Sequence, residues 1–180
     1  MENKYLIVVD MQNDFITGSL GTKEAQAIVP AVVEKINNWE GTVIATRDTH
    51  YSDYSTTREG RHLPVPHCIN HTPGWEIESS VAEALKKKDA IIIDKTTFGT
   101  FQLIDTISRV DLANGNYDSE IEVIGLCTDI CVVSNALLLK NAFQERDVSV
   151  DAACCAGVTP DTHAAALKTM MMCQIDVKNN

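Results

Sequence analysis

Short apolar runs rich in Val and Ile alternate along the chain with longer stretches of helical periodicity. Three of these runs are almost continuously apolar, which is typical of strands buried on both faces of a parallel sheet. The pattern predicts strands over residues 5–9, 42–46, 90–93, 121–124, 148–152 and 174–177. It predicts helices over residues 22–39, 76–88, 102–111, 131–144 and 160–172, the last with Thr159 as its N-cap and Pro160 in its first turn.

The alternation of strands and helices predicts the fold class. We expect an α/β protein with three α/β/α layers around a mostly parallel, six-stranded, doubly wound sheet. The 180 residues fit one domain, spanning residues 1–180, and no repeat, low-complexity segment or linker divides them. Only residues 47–74 lack a clear period, and connections of that length are often functional.

The charge of the chain and its N-terminal segment indicate which partners and which compartment to expect. The chain has 15 Lys and Arg against 25 Asp and Glu, a formal net charge of -10. This balance disfavours nucleic acid and anionic membrane surfaces, because binding to either needs clustered cations. The N-terminal apolar run is too short for a secretory signal or a membrane span, so we expect a cytoplasmic protein.

The six cysteines form no CxxC pair or regular framework and are expected to be free thiols. For the vicinal Cys154-Cys155 pair, burial as small residues is favoured over a redox switch.

Polar side chains follow four of the predicted strands. Asp10 follows the first, Asp48 and His50 follow the second, Lys95 follows the third, and residues 125–131 follow the fourth. In open parallel sheets, ligands bind beyond the carboxyl ends of the strands. We therefore expect these carboxylates, the amine, the imidazole and the thiols to share one rim of the sheet.

The chemistry of this rim depends on Cys131. Residues 121–132 read as a strand, a tight turn at Gly125 and a helix, with Cys131 in the first helical turn. There, unpaired N–H groups and the helix dipole favour a thiolate and could also hold an oxyanion. Taken singly, Cys131 could be a small buried residue, Asp10 a loop cap and Lys95 a solvated side chain. Together, a thiol, a carboxylate and an ammonium predict an activated nucleophile.

Four segments in the same order resemble the isochorismatase-like cysteine hydrolases, whose enzymatic members include nicotinamidases. They are VVDMQNDF (8–15), TRDTH (46–50), DKTTFGTF (94–101) and GLCTDICV (125–132), and the similarity spans nearly the whole chain. The resemblance implies Cys131 rather than Cys127 as the nucleophile, Asp10 as the base and Lys95 as the partner of Asp10. It also implies a cis peptide bond before Cys127 and an oxyanion hole formed by the backbone N–H groups of Cys127 and Cys131.

Asp48, His50 and His67 are candidate metal ligands. Asp48 and His50 are two residues apart at a strand end, so their side chains can point the same way. One carboxylate and two imidazoles with open positions suit a catalytic zinc ion, with iron or manganese as alternatives. Spacing alone is a weak signal, but the resemblance implies a divalent metal at these three residues, as in nicotinamidases.

Two departures from the nicotinamidase pattern concern the metal site and the pocket. Many nicotinamidases have a further His where this chain has Thr56, and Glu59 could replace it as a ligand. His62 and His71 are also nearby and are expected to be surface or loop residues. A Trp that often precedes the last metal-binding His is replaced by Pro64. Other aromatic residues would then have to form the wall of the substrate pocket, and the candidates are Phe15, Phe98 and Trp75.

The reaction expected from this resemblance is hydrolysis of nicotinamide to nicotinate and ammonia through a thioester on Cys131. Alternatives that keep the same catalytic residues are hydrolysis of another small amide, a carbamoyl compound or a vinyl ether. A non-catalytic binding protein on the same fold is a further alternative, disfavoured because Asp10, Lys95 and Cys131 are all present. The resemblance also implies a homo-oligomer, either a dimer or a tetramer.

Overall fold

Six parallel strands form the central sheet of the computed structural model, which describes residues 4–180. The order across the sheet is β3-β2-β1-β4-β5-β6, and every neighbouring pair is parallel, whereas the sequence predicted a mostly parallel sheet. The strands are β1 (Tyr5–Val9), β2 (Thr42–Asp48), β3 (Ile91–Lys95), β4 (Ile121–Leu126), β5 (Val148–Ala156) and β6 (Asp176–Lys178). The last strand begins two residues later than predicted and is short, as edge strands often are.

Helices cover both faces of this sheet. They are α1 (Asn13–Ile16), α2 (Lys23–Asn38), α3 (Arg58–His62), α4 (Ser79–Lys87), α5 (Phe101–Asn114), α6 (Val133–Ala142) and α7 (Pro160–Met172). Applied to this strand order, the rule that parallel crossovers are right-handed puts α2 and α4 on one face and α5, α6 and α7 on the other. The packing of α2 on α4 and of α6 on α5 and α7 agrees with this. The predicted three-layer, doubly wound architecture is confirmed.

Local capping decides where several helices begin. Thr22 accepts a hydrogen bond from the Ala25 N–H, and Thr159 forms a capping box with Thr162, so α2 and α7 start close to the predicted positions. The helix predicted from residue 76 begins instead at Ser79, because the Glu78 carboxylate caps it from the preceding position. The helix predicted from residue 131 begins at Val133, after a π-helical turn over Thr128–Val132.

The middle of the sheet brings β1 and β4 into close contact. All five residues of β1 are buried, and Val9 pairs with Gly125 of β4 on one side and with Thr46 of β2 on the other. Gly125 has a φ of +115°, and a Cβ atom there would lie 2.1 Å from the Val9 carbonyl oxygen. Gly125 therefore lies inside the strand and permits the close approach of β1, rather than forming the predicted turn.

Residues 47–74, for which the sequence predicts no regular period, return to the edge of the sheet. A short 3₁₀ turn (Tyr54–Thr56) and α3 interrupt it. The Cys68 N–H donates to the Asp14 carboxylate at 2.7 Å, and the His50 N–H donates to the Cys68 carbonyl at 2.9 Å. These bonds fold the connection back against the end of β2, where it forms one wall of the candidate site.

The state of the cysteines agrees with the expectation from the sequence. All six cysteines are free, and Cys154 and Cys155 are buried within β5. No helix within residues 4–180 is both long enough and apolar enough to cross a membrane.

A buried charge cluster ties α2 to the sheet. The Lys35 ammonium lies 2.7 Å from the Glu122 carboxylate of β4 and 2.6 Å from the Asp151 carboxylate of β5. Burial lowers the pKa of Lys35, but the two carboxylates outweigh this effect and raise the pKa above its usual value. The ammonium therefore stays charged and compensates two carboxylates that have little access to water.

We expect Lys35→Met to lower the free energy of unfolding by about 2–3 kcal/mol, since it leaves two buried carboxylates short of a partner. The remaining contacts, from Lys178 to Glu122 and from Asn179 to Asp151, keep the loss below that of a fully isolated charge. Urea denaturation checks this value. Lys23→Met, at an exposed position of the same helix, is the matched control and should change stability by less than about 0.5 kcal/mol.

Candidate active site

Three strand ends deliver a carboxylate, an amine and a thiol to one buried cluster. Asp10 follows β1, Lys95 ends β3, and Cys131 lies in the π-helical turn after β4. The Lys95 ammonium lies 2.7 Å from Asp10 Oδ2 and 3.5 Å from Cys131 Sγ. Relative exposures are 0% for Asp10, 2% for Lys95 and 5% for Cys131. The spatial convergence expected from the sequence is therefore present.

The sheet topology explains why these residues meet. The strand order reverses between β1 and β4, and crevices at such switch points are the usual ligand sites of open α/β sheets. Asp10 directly follows β1, and Cys131 lies in the π-helical turn after β4. Lys95 comes from β3, which is separated from β1 by β2, and its long side chain crosses that distance to pass within 3.5 Å of Asp48 on β2.

Local contacts hold the Asp10 carboxylate in place. Asp10 adopts a left-handed backbone conformation, with a φ of +48°, directly after the strand. Its Oδ1 accepts a 2.6 Å hydrogen bond from the Thr46 hydroxyl, and its N–H donates to the Thr46 carbonyl. The other carboxylate oxygen faces Lys95. Sequence reasoning did not single out Thr46, although it lies within one of the four family segments.

Burial controls the proton affinities in the cluster. Burial raises the pKa of Asp10, and the charge of Lys95 opposes this rise. Burial also raises the pKa of the Cys131 thiol well above its usual value, Asp10 adds to the rise, and Lys95 opposes it. The sequence predicted a lowered thiol pKa from a helix N-terminus. That prediction is wrong in direction, because loss of water around the sulfur and the charge of Asp10 outweigh the charge of Lys95.

The lysine remains cationic in this environment. Burial lowers the pKa of Lys95, but the nearby Asp10, Cys131 and Asp48 outweigh burial and raise it. A protonated thiol thus lies beside a carboxylate of raised basicity and a permanent ammonium. This arrangement favours transfer of the thiol proton to Asp10 with the resulting thiolate paired to Lys95.

Polar contacts anchor the turn that carries Cys131. The peptide bond between Leu126 and Cys127 is cis, as the family resemblance implied. The Thr128 hydroxyl lies 2.8 Å from His163 Nδ1, and the Asp129 carboxylate accepts from the Val158 N–H. The turn is therefore fixed to α7 and to the loop before it. No sequence signal pointed to His163 in this position.

Asn135 connects the turn to the segment that precedes α5. Its side-chain amide donates to the Cys131 carbonyl at 2.8 Å and to the Phe98 carbonyl at 3.2 Å. Its Oδ1 accepts from the Thr100 N–H at 3.0 Å. A single buried amide thus joins the cysteine-bearing turn to the wall that carries Phe98. Sequence reasoning missed Asn135 because two of its three partners, Phe98 and Thr100, are more than 30 residues away in the chain.

Four side chains beside the cluster could hold a metal ion. One ligand atom from each of Asp48, His50, Glu59 and His67 lies within 4.8 Å of the others. His50 Nε2 is buried and lies 2.9 Å from Asp48 Oδ2 without hydrogen-bond geometry, so this nitrogen has no hydrogen-bond partner. Two imidazole nitrogens and two carboxylate oxygens are a donor set for zinc, iron or manganese. The residues therefore fit the divalent metal implied by the resemblance.

The position of Asp48 is set by Gln12. The Gln12 side chain accepts from the Asp48 N–H at 2.7 Å and donates to the Asp48 carbonyl at 2.8 Å and to the Trp75 carbonyl at 2.8 Å. A buried amide that makes all three bonds fixes the backbone beneath this candidate ligand. Thr56 is not one of these four candidate ligands. Glu59 is, and it supplies the second carboxylate beside the two imidazoles.

An apolar cavity of about 430 Å³ opens beside Cys131. Phe15 and Phe98 line it, as expected for the pocket wall. Trp75 is not among its lining residues, since its indole donates to the Thr49 hydroxyl and its ring packs against Arg47. His62, expected to be a surface residue, lines the cavity although it is exposed. The remaining lining residues are Leu20, Thr22, Asp48, Glu59, Leu63, His67, Cys127, Ile130, Cys131 and Val158.

Comparison with known proteins places this geometry in a family. Residues 4–178 match the family model described as the Isochorismatase domain. The chain belongs to the isochorismatase family. This isochorismatase-family chain is 31% identical over 188 residues to the nicotinamidase/pyrazinamidase of Mycobacterium tuberculosis, with 96% of each chain covered. It is 26% identical over 207 residues to the nicotinamidase of Schizosaccharomyces pombe, covering 96% of this chain and 91% of that protein.

Solved structures agree with the family assignment. The nicotinamidase/pyrazinamidase of Bacillus subtilis superposes with a TM-score of 0.83 at 26% identity, covering 98% of this isochorismatase-family chain and all of the other. The pyrazinamidase of Pyrococcus horikoshii in complex with zinc superposes with a TM-score of 0.79 at 30% identity, covering 97% and 98% of the two chains. Both similarities extend over the whole sheet and its surrounding helices.

We expect Asp10→Asn to separate thiolate formation from turnover. The negative charge of Asp10 raises the pKa of Cys131, so its removal lowers that pKa while Lys95 remains. At neutral pH the variant should therefore alkylate faster at Cys131 with iodoacetamide. Ammonia release from amide substrates should fall at least about a hundredfold, because no group accepts and returns the proton. Peptide mass spectrometry measures the first rate, and an ammonia assay measures the second.

Asp94→Asn is the matched control for this variant, since Asp94 is exposed, adjoins Lys95 and pairs with Arg47. It should leave both rates near those of the wild type. Slower alkylation of Cys131 in Asp10→Asn than in the wild type would contradict the assigned effect of Asp10 on the thiol.

Proposed function

We propose that the protein hydrolyses nicotinamide to nicotinate and ammonia through a thioester on Cys131. The observation that carries this proposal is the contact of Lys95 with both Asp10 and Cys131 beside an apolar cavity. The 31% identity with a protein named nicotinamidase/pyrazinamidase supports the choice of substrate. Cys131 and Cys127 both line the cavity, so a small amide bound there can reach the sulfur of Cys131.

In the first half of the reaction, Asp10 accepts the thiol proton and Lys95 stabilises the thiolate by charge. The thiolate attacks the amide carbonyl carbon, a C–S bond forms, and the carbonyl oxygen becomes an oxyanion. The backbone N–H groups of Cys127 and Cys131 donate to this oxyanion. In known enzymes, one such donor contributes about 3–4 kcal/mol to transition-state stabilisation.

Collapse of the tetrahedral adduct breaks the C–N bond, and Asp10 gives its proton to the departing ammonia. A water molecule then attacks the thioester carbonyl, with Asp10 accepting one of its protons. Cleavage of the C–S bond releases nicotinate, and the proton held by Asp10 returns to the sulfur of Cys131. The raised pKa of Asp10 suits this repeated exchange, since a more basic carboxylate holds the proton between the steps.

We further propose that Asp48, His50, His67 and Glu59 hold a divalent cation, with zinc as the first choice and iron or manganese as alternatives. When bound, the cation would supply a Lewis acid and a binding point for a pyridine nitrogen. Support comes from the donor set of this group and from the zinc complex of the Pyrococcus horikoshii pyrazinamidase. Two carboxylates on one small site also provide the negative charge that a cation would neutralise.

The same proposal covers partners and compartment. We infer a small-molecule amide as the partner, with no role for nucleic acid or membranes, in view of the net charge of -10. A cytoplasmic location is consistent with six free cysteines. We also propose that residues 1–180 form a single domain and that the protein is a homo-oligomer, either a dimer or a tetramer. The oligomer rests on the family resemblance alone.

Replacement of the two cavity cysteines tests the nucleophile. Cys131→Ala should lower ammonia release from nicotinamide at least about a thousandfold, because it removes the atom that attacks the carbonyl. Cys127→Ala keeps the backbone N–H group and should lose less than about tenfold. Both rates come from steady-state assays on protein of verified secondary structure. A similar loss in the two variants would refute the assignment of the nucleophile.

Metal analysis tests the candidate ligands. The purified protein should hold about one zinc, iron or manganese ion per chain, and His67→Ala should weaken metal binding at least about a hundredfold. A chelator should abolish ammonia release, and added metal should restore it. His71→Ala is the matched control, because His71 is nearby but packs against Trp75 outside the group of four. Equal metal content in both variants would show that His67 is not a ligand.

A further inference from the structure

The cavity beside Cys131 is larger than a single-ring amide requires. Its volume is about 430 Å³. At ~30 Å³ for each molecule of liquid water, this is space for roughly 14 waters, and it lies within the range of pockets that hold drug-sized ligands. Nicotinamide has one six-membered ring and one carboxamide. With its carbonyl at Cys131 and a cation at the candidate metal ligands, such a ligand would still leave part of the cavity to water.

The lining of the cavity indicates what would fill this remaining space. Besides the two cysteines and the candidate metal ligands Asp48, Glu59 and His67, only Thr22 and His62 supply polar side chains. One ring nitrogen of His62 already bonds to the Arg58 carbonyl. The other lining residues are apolar: Phe15, Leu20, Leu63, Phe98, Ile130 and Val158. A wall of this kind favours an apolar group, because a polar one would lose water without gaining partners.

Three of these apolar side chains form an exposed rim. Relative exposures are 38% for Leu63, 48% for Phe98 and 50% for Val158. They come from three separate segments, after α3, before α5 and before α7, yet all three line the same cavity. Single exposed apolar residues need no explanation, but several around one opening form a patch typical of a ligand site. A ligand that extends from Cys131 to the opening would cover this patch.

We propose that the preferred substrates are aromatic ring carboxamides that carry an apolar substituent, and that Leu63 and Val158 contact this substituent. The inference rests on the proposed function, since the carboxamide reacts at Cys131 as before. Each methylene removed from water should raise kcat/KM by about fourfold. The gain should appear mainly as a lower KM, because the substituent is equally buried in the ground state and the transition state.

A homologous series of substrates tests the proposal. Nicotinamide is compared with its methyl, ethyl and propyl derivatives at each free ring carbon, and kcat/KM is obtained from ammonia release. For at least one ring position, the propyl derivative should exceed nicotinamide by about tenfold or more. The ratio of the two values is measured within one protein preparation, so it does not depend on the active fraction.

Near-isosteric polar replacements test the two rim residues. Leu63→Asn and Val158→Thr should each reduce the propyl-to-hydrogen ratio at least about threefold, because the substituent would then contact a hydrated group. Leu112→Asn is the matched control, since Leu112 is an exposed leucine of α5 that does not line the cavity. It should leave the ratio unchanged.

The outcomes separate this inference from the proposed function. Turnover of nicotinamide without a faster derivative would overturn the inference and leave the proposed function intact. Absence of ammonia release from every amide in the series would refute the proposed function and the inference together. A gain that persists in both Leu63→Asn and Val158→Thr would overturn the assignment of the rim.

Discussion

The structure depends on one buried ammonium group. Lys95 has almost no access to water, and a lysine in that position is tolerated only when opposite charges surround it. Asp10 lies 2.7 Å away, and Asp48 and Cys131 each lie 3.5 Å away. The ammonium therefore links the ends of three strands and the turn after β4. It also connects Asp10 and Cys131 to the candidate metal ligands, because one of those ligands, Asp48, lies beside the ammonium.

The same constraint explains the proton chemistry. Burial raises the pKa of both Asp10 and Cys131, so neither group alone favours its charged form. Lys95 supplies one positive charge that can stabilise either anion. A proton can thus move between the sulfur and the carboxylate while the net charge of the cluster stays the same. Such a balance is suited to a group that must act first as a base and then as an acid.

The site has two parts: one is held rigidly by hydrogen bonds, and the other is an open apolar cavity. Gln12, Thr46 and Asn135 hold the reacting side with buried hydrogen bonds, which fixes the strand ends and the cysteine-bearing turn. The opposite side, around Leu63 and Val158, is apolar and reaches the surface. The first part determines which bond is broken. The second determines which molecule is brought to that bond.

The sequence by itself determined the layers, the strands, the cap at Thr159, and the rim on which the candidate residues lie. These features follow from periodicity and local hydrogen bonding, which neighbouring residues decide. Only the tertiary structure decided the direction of the Cys131 pKa, the place of Gly125 inside β4, the absence of Trp75 from the cavity and the support from Asn135 and His163. Each of these depends on burial or on contacts between residues distant in the chain, and no local pattern records either.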